Sequence, residues 1–311
     1  MLTKEQLKAR QKGIGGSDVA AILGLSNYRD IVDVWKDKTA DEVIEREENQ
    51  KMRWGNILEA PVADEYANQS GNKIIASDKM LKHPEISYML ANIDRFYELP
   101  DGRRGILEIK TTSKHYMSGW KYDLPMEYYC QVQHYMWIAK ALKLTQLDEA
   151  HVAILASGQE FTIIPVAYDD KFIIGATGTL HEFWTQYVKT KTPPEPTNGE
   201  QVEKLFSAFK DKEIEASKEV MLLVTNLAMS TAQRLEMEKR EKELKSQIKL
   251  VMRDAELLTY DSDLILTWKE MTSNRLDQKA LEKDYPDLVA EYKKESSYRK
   301  MDVKIKGEND G

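Results

Sequence analysis

The chain has one cysteine, Cys130, in 311 residues. A single thiol forms no intrachain disulfide and no CxxC metal or iron–sulfur site. Long hydrophobic runs are missing too. Stretches such as "VAAIL" and "FIIG" fall far short of the roughly 20 apolar residues a membrane span needs. The opening "MLTKEQLKAR" holds no apolar signal segment. Internal repeats and low-complexity tracts are absent. These absences predict a soluble protein of a reducing, cytoplasmic compartment with no membrane partner. Excess positive charge is also lacking, the formal net charge being −7. That argues against a protein that coats DNA through bulk electrostatics, while leaving room for a local basic groove. Carboxylates gathered around a metal would push the total the same way.

What is present suffices for a core: 41% of residues are hydrophobic and 31% charged. The length allows one large domain and a smaller one. Glycines and aromatics concentrate in residues 1–200, and "KTKTPPEPTNGE" at 189–200 reads as a proline-rich linker. The expected domains are 1–195 and 200–311.

In the first region, "GIGGSDVAAILGL" reads as a glycine loop entering a short helix, with Ser17 or Asp18 as N-cap. Residues 53–71 read as a helix closed by Gly71. Residues 87–99 read as a strand, "PDGRRG" as a turn, and "ILEIKTT" as the returning strand of a hairpin. "MEYYCQVQHYMWIAKAL" at 126–142 reads as a helix, "AHVAILAS" and "EFTIIPVAY" as a second hairpin around Gly158, and "DKFIIGATGTLHEFWTQYVK" as a further helix. This order implies an α/β fold with a mixed central β-sheet flanked by helices. The second region reads as mainly helical. Residues 216–256 hold no proline or glycine, and Val220, Leu223, Val224, Leu227, Leu235, Leu244, Ile248 and Val251 recur at helical steps. They predict one helix of about 60 Å or a hairpin of two. A strand at "DLILTWKEM", a helix near 277–294 and a last strand "YRKMDVKI" follow.

The chemistry concentrates in "GILEIKTT" at 105–112. Glu108 and Lys110 share one face of a strand, with Ile109 on the other. The hairpin brings Asp94 toward the same end. Two carboxylates and a lysine then converge, the kind of oxygen site that hard cations such as Mg²⁺ take. The Ile109 carbonyl is a candidate further ligand, and Glu59 on the preceding helix a candidate to complete the site or hold a second metal. Lys110 is placed to polarise a water for attack on phosphorus. The competing reading is an exposed Glu–Lys pair on a surface strand. Against it stand Asp94 on an otherwise apolar strand and flanks that read as buried, where charges without a task are costly.

The ordered set Glu59, Asp94 and "EIK" resembles the PD-(D/E)xK nuclease superfamily, with Ile93 where its pattern has proline before the Asp. "RQKGIGGSDVAAILGLSNYRDIVDVWKDKT", "WGNILEAPVADEY", "ANIDRF", "GILEIKTT" and "YYCQVQHYMWIAKAL" follow in order. Together they resemble the YqaJ-type viral recombinase family, relatives of the phage lambda exonuclease, over residues 1 to about 190. The resemblance implies a PD-(D/E)xK restriction-endonuclease-like core. It implies Glu59, Asp94, Glu108 and the Ile109 carbonyl as ligands of one or two Mg²⁺ ions, with Mn²⁺ as a substitute. Lys110 is then the catalytic lysine, and Tyr128 and Gln131 project into the site near the scissile phosphate. Arg10 and Ser17, seven residues apart, grip the 5′-terminal phosphate. That chemistry suits an arginine fork beside a helix N-terminus.

The implied activity is 5′-to-3′ digestion of double-stranded DNA ends, leaving 3′ overhangs for a single-strand annealing protein. A ring of three or four subunits is implied for the assembly. Two rival readings stand beside it. A structure-specific endonuclease on the same core would cut closed circular DNA. A non-catalytic DNA-end or recombinase adaptor would lack Asp94, Glu108 or Lys110. Of the other residues, Cys130 reads as a small buried hydrophobe, and His134 and Trp137 as core or rim.

Overall fold

The computed structural model describes residues 4–43, 49–77, 79–117, 124–206, 212–294 and 298–304. The chain divides after Leu205 into two units, Met1–Leu205 and Phe206–Gly311. The proline-rich stretch at 189–200 therefore lies inside the first unit.

The first unit opens with α1 (Lys4–Gln11), α2 (Gly16–Ile22) and α3 (Ile31–Thr39). Neither Ser17 nor Asp18 is the N-cap of α2. That position is Gly15, whose N–H donates to the Asp18 carboxylate at 3.0 Å from the third helical residue. α3 opens on a reciprocal capping pair, Asp30 and Asp33, each carboxylate accepting the other's backbone N–H. α4 (Gln50–Ser70) starts at the Asn49 cap and ends at Gly71, whose left-handed φ of 70° favours glycine.

Short strands follow: β1 (Lys73–Ala76), β2 (Leu81–Lys82), β3 (Leu90–Ala91) and β4 (Arg95–Glu98). The strand expected over 87–99 is thus two, because the chain leaves regular pairing at Asn92–Asp94. β3 pairs with β2, while β4 joins the main sheet. β5 (Arg104–Thr112) is the returning strand, followed by α5 (Lys114–Met117) and α6 (Met126–Ala141). β6 (Glu149–Ala156) and β7 (Glu160–Ala167) form the second hairpin, and α7 (Asp170–Glu182) runs on as a π-helical turn over Phe183–Val188. α8 (Gly199–Leu205) ends the unit, its Lys204 ammonium bridging Asp30 and Asp33.

The main sheet has the order β1-β4-β5-β6-β7. β5 and β6 run parallel and the other neighbours antiparallel. A parallel pair needs a crossover, and α6 supplies it. Period-two alternation along β5 divides the core. Ile106 packs with Cys130, Val132 and Met136 of α6, whereas Leu107 and Ile109 pack with Val62, Ala63 and Tyr66 of α4. Cys130 is fully buried, and burial pushes its thiol up to about 12. His134 is core as well, its ring bonded to the Leu90 carbonyl. A mixed α/β sheet with helices on both faces matches the fold class read from the sequence.

In the second unit, α9 (Lys218–Met252) is one unbroken helix, about 52 Å at 1.5 Å per residue. β8 (Leu257–Tyr260) and β9 (Asp263–Thr267) form an antiparallel hairpin. The helix expected near 277–294 is two, α10 (Gln278–Asp284) and α11 (Pro286–Tyr292), because Pro286 opens a new helix. The final strand is absent from its described part, 298–304, and residue 305 lies outside the described residues. Among the described residues, no helix is long and apolar enough to cross a membrane.

Candidate active site

β5 presents Glu108 and Lys110 to α6, on the face opposite Ile109. The Lys110 ammonium lies 2.5 Å from Glu108 Oε1 and 3.2 Å from Gln131 Oε1, and Gln131 Nε2 donates to Glu108 Oε1 at 2.7 Å. The Tyr128 ring stands 4.9 Å from the Lys110 ammonium, a cation–π contact. A surface Glu–Lys pair is therefore excluded, since Glu108 is 1% exposed and Lys110 19%.

Asp94 reaches the same end by a different route. The last pair of β4 with β5 is Arg95 opposite Leu107. Beyond it, Asp94 Oδ2 accepts the Ile109 N–H at 2.9 Å, replacing a ladder bond with a side chain. The N–H and C=O of one strand residue point the same way, so the Ile109 carbonyl faces this open edge too. Glu59 does not join the other two carboxylates. It is paired with Arg95 at 2.8 Å, and the same guanidinium nitrogen donates to the Asp94 carbonyl at 2.6 Å. Among the described residues, no three acidic, histidine or cysteine side chains converge as a ready metal cluster. Glu59 stands one ion pair away.

Burial and mutual repulsion shape the electrostatics of the cluster. Burial first, then the Asp94 and Glu59 charges, push the Glu108 carboxyl up to about 8 against the pull of Lys110. Burial also raises Asp94, and Glu59 adds to it, against Lys110 and the Ile109 N–H. Burial opposes the charge on Lys110, but Glu108 and Asp94 outweigh it and hold the ammonium above its ordinary value. Glu108 Oε2 is buried and has no hydrogen-bond partner. Anionic oxygens that repel one another, one of them unpartnered, are a donor set that suits a hard divalent cation. The residues fit Mg²⁺ on that observation.

The second cluster adjoins the first. Arg10 Nη2 donates to Ser17 Oγ at 2.9 Å, bringing α1 and the first turn of α2 together, the pairing that the family resemblance implies. Tyr135 stands between the two clusters. Its hydroxyl accepts from Gln131 Nε2 at 3.1 Å, and its ring lies against Gly16. A Cβ at Gly16 would come within 2.5 Å of that ring, so only glycine lets α2 approach so closely. Burial, with the Glu108 and Asp94 charges, raises the Tyr135 phenol and keeps it protonated, while Arg10 pulls the other way.

Tyr135 and Arg95 are site residues that sequence reasoning missed. Tyr135 follows Gln131 by four residues on α6 and so shares its face, a spacing that points to it. Arg95 follows Asp94 directly, but nothing local marks its pairing with Glu59. Tyr129 turns away, its hydroxyl donating to Asp169, and Gln133 is buried with its amide on the Ala167 carbonyl. The "RR" of the hairpin turn is engaged locally, Arg103 with Asp101 and Arg104 with Glu98.

Comparison with known proteins gives a consistent picture. Residues 5–142 match the family model described as the YqaJ-like viral recombinase domain. The chain is 32% identical to the uncharacterized protein YqaJ of Bacillus subtilis (strain 168), over 98% of this chain and 95% of that protein. Among solved structures it is similar to the alkaline exonuclease LHK-Exo from Laribacter hongkongensis. That match has 18% identity and a TM-score of 0.50, covering 61% of this chain and 94% of the other. LHK-Exo in complex with dAMP matches at 18% identity and a TM-score of 0.49, covering 66% and 98%. At these identities the structural likeness is one of fold.

Proposed function

This chain belongs to the YqaJ-like viral recombinase family, and from that premise we propose that it is a metal-dependent DNA exonuclease acting 5′ to 3′ on duplex ends. The observation that carries the reading is the buried Glu108, its Oε2 unpartnered and its carboxyl raised, between Asp94, Lys110 and Gln131. Lys110 and Gln131 satisfy only Oε1, and a buried carboxyl oxygen left without a partner is costly unless it has a task. A raised carboxyl among such neighbours points to a functional site. The fold neighbour LHK-Exo, an alkaline exonuclease, supports the reaction class.

Asp94, Glu108 and the Ile109 carbonyl are the residues that would hold one or two Mg²⁺ ions, with Mn²⁺ as a substitute, and Glu59 would complete the set on leaving its ion pair with Arg95. When bound, the cation supplies Lewis-acid charge at the scissile phosphate. The chain's own groups do the rest. Arg10 and Ser17 hold the 5′-terminal phosphate with a planar fork and a hydroxyl. Lys110 donates to the attacking water and orients it in line with the phosphorus. Gln131 holds Lys110 and Glu108 in register, and the Tyr128 ring supports the ammonium. The 3′-oxygen of the terminal nucleotide leaves, and a 5′-mononucleotide is released. Each cut leaves a new 5′-phosphate for the Arg10–Ser17 pair, so the cycle repeats and a 3′ overhang grows.

That overhang is the proposed substrate of a single-strand annealing protein. A ring of three or four subunits around the duplex is the proposed assembly. The cytoplasm of a bacterial or phage-infected host cell is the proposed place of action.

The test uses one duplex as a linear molecule, labelled at either the 5′ or the 3′ end, and as a covalently closed circle, each with Mg²⁺. The reading expects early mononucleotide release of the 5′ label, late release of the 3′ label and an intact circle. Cutting of the circle would replace it with the endonuclease reading. Binding without hydrolysis would replace it with the adaptor reading.

A further inference from the structure

Arg10 and Ser17 sit on different helices joined by the loop 12–15. Something must hold the two helices in register for a guanidinium and a hydroxyl to act as one grip. Lys38, in the last turn of α3, does this. Its side chain is only 6% exposed, and its ammonium reaches the junction from behind. It donates to the Arg10 backbone carbonyl at 2.8 Å and pairs with Asp18 Oδ2 at 2.7 Å. Asp18 is the residue after Ser17, and the same oxygen accepts the Gly15 N–H at 3.0 Å. Arg29 holds the other Asp18 oxygen at 3.3 Å and reaches Asp37 at 2.5 Å. A second tie runs in the opposite direction, from Gln11 Nε2 to the Ala40 carbonyl at 2.7 Å.

A lysine on an exposed helix face contributes little through an ion pair. A buried one is costly to desolvate and is weak evidence of stability alone. Its placement is the informative feature, because one ammonium bonds the residue that carries the fork and the residue beside the hydroxyl. We propose that Lys38 is a positioning residue for end recognition, setting the 2.9 Å approach of Arg10 to Ser17 and thereby the preference for a 5′-phosphorylated end. The inference rests on the reading of Arg10 and Ser17 as the phosphate grip.

The experiment compares kcat and KM of the full chain on matched duplexes with 5′-phosphate or 5′-hydroxyl ends. The proteins are wild type, Arg10→Ala, Lys38→Met and the double variant Asp18→Asn/Lys38→Met. The double variant removes both buried charges, so it folds where the single one leaves Asp18 short of its partner. Lys38→Met, or the double variant, is expected to raise KM for phosphorylated ends roughly tenfold, the worth of one hydrogen bond to a charged group. The kcat at saturating DNA and both constants on hydroxyl ends stay near wild type. Lys38→Arg, which keeps the charge, is expected to recover part of the preference.

A folded Lys38 variant that keeps the full preference for phosphorylated ends would overturn the inference while leaving the grip intact. So would a variant that loses kcat and KM alike on both ends, which is the signature of a structural defect. A wild type that ignores the 5′-phosphate, or an Arg10→Ala enzyme that still prefers it, would overturn the grip itself and the inference with it.

Discussion

Glu108→Gln should change the protein in opposite directions with and without metal. Glu108 is buried, and its carboxyl is raised from the ordinary 4.5 to about 8. A raised carboxyl favours the fold while protonated, and this contribution is lost as pH rises from 4.5 toward 8. At an assay pH of about 7.5, the unfolded chain is ionised at this residue and the folded chain resists ionisation. At about 1.4 kcal/mol per pH unit, that costs the fold about 4 kcal/mol. Gln keeps the oxygen that accepts from Lys110 and Gln131. It also places an NH₂ where Oε2 has no partner, and an unpartnered donor costs about 1–3 kcal/mol. The net expectation without metal is a variant more stable than wild type by about 1–3 kcal/mol, a rise of several degrees in Tm.

With Mg²⁺ at about 1,000 times its Kd, wild type gains about 4.1 kcal/mol, and the variant, lacking an anionic ligand, gains far less. The order of melting should therefore invert. Thermal melts followed by near-UV circular dichroism, in EDTA and in Mg²⁺, read this directly. The EDTA series across pH should slope downward for wild type and stay flatter for the variant. A variant that melts below wild type in EDTA would refute the strain on Glu108. Equal stabilisation of both proteins by Mg²⁺ would refute its role as a ligand.

Other consequences follow from the same geometry. Tyr135→Phe removes the hydroxyl that takes the Gln131 amide; kcat should fall roughly three- to tenfold, about one hydrogen bond, with Tm little changed. An unaltered kcat would make Tyr135 packing alone. Gly16 is the first residue of α2, so Gly16→Ala gains less than the ~1 kcal/mol that the change brings in a helix interior. It also drives a Cβ to 2.5 Å from the Tyr135 ring, and such overpacking costs about 1–3 kcal/mol. The urea midpoint should fall at constant slope, and a rise would show that the two helices part easily. Asp18 is buried, which alone would raise it, but Lys38 and Arg29 hold it below the usual carboxylate range. Its stability is present above the unfolded value and is lost as pH falls through the folded one. Asp18→Asn should flatten the acid limb of the stability curve, and an unchanged limb would assign acid unfolding to other groups.

The fold was legible where one force dominates. Helical spacing and a glycine stop mark α4, and an apolar run with no breaker marks α6. Two-residue alternation put Glu108 and Lys110 on one face. The expectation failed where a side chain took over a backbone role. Asp94 accepts the Ile109 N–H itself, so the strand expected over 87–99 breaks there although its residues suit a strand. Asp18 serves from inside α2 rather than at its cap. In the site, Glu108, Lys110, Gln131 and Tyr128 converge as expected, and Arg10 meets Ser17. Glu59 lies with Arg95 instead, a choice between two nearby charges that no local pattern encodes. Lys38 was illegible for a related reason. In a helix end rich in charge it looks like any solvated lysine, and only the tertiary packing of α3 on α1 and α2 buries it.

The central claim is that Glu108, Lys110 and their neighbours perform hydrolysis, and one measurement meets it directly. Linear duplex DNA with a labelled 5′-phosphate is incubated with wild type and Mg²⁺, wild type and EDTA, and Lys110→Ala with Mg²⁺. The account predicts release of labelled mononucleotide in the first reaction alone. Release by the Lys110→Ala protein at the wild-type rate, or by wild type in EDTA, would contradict it.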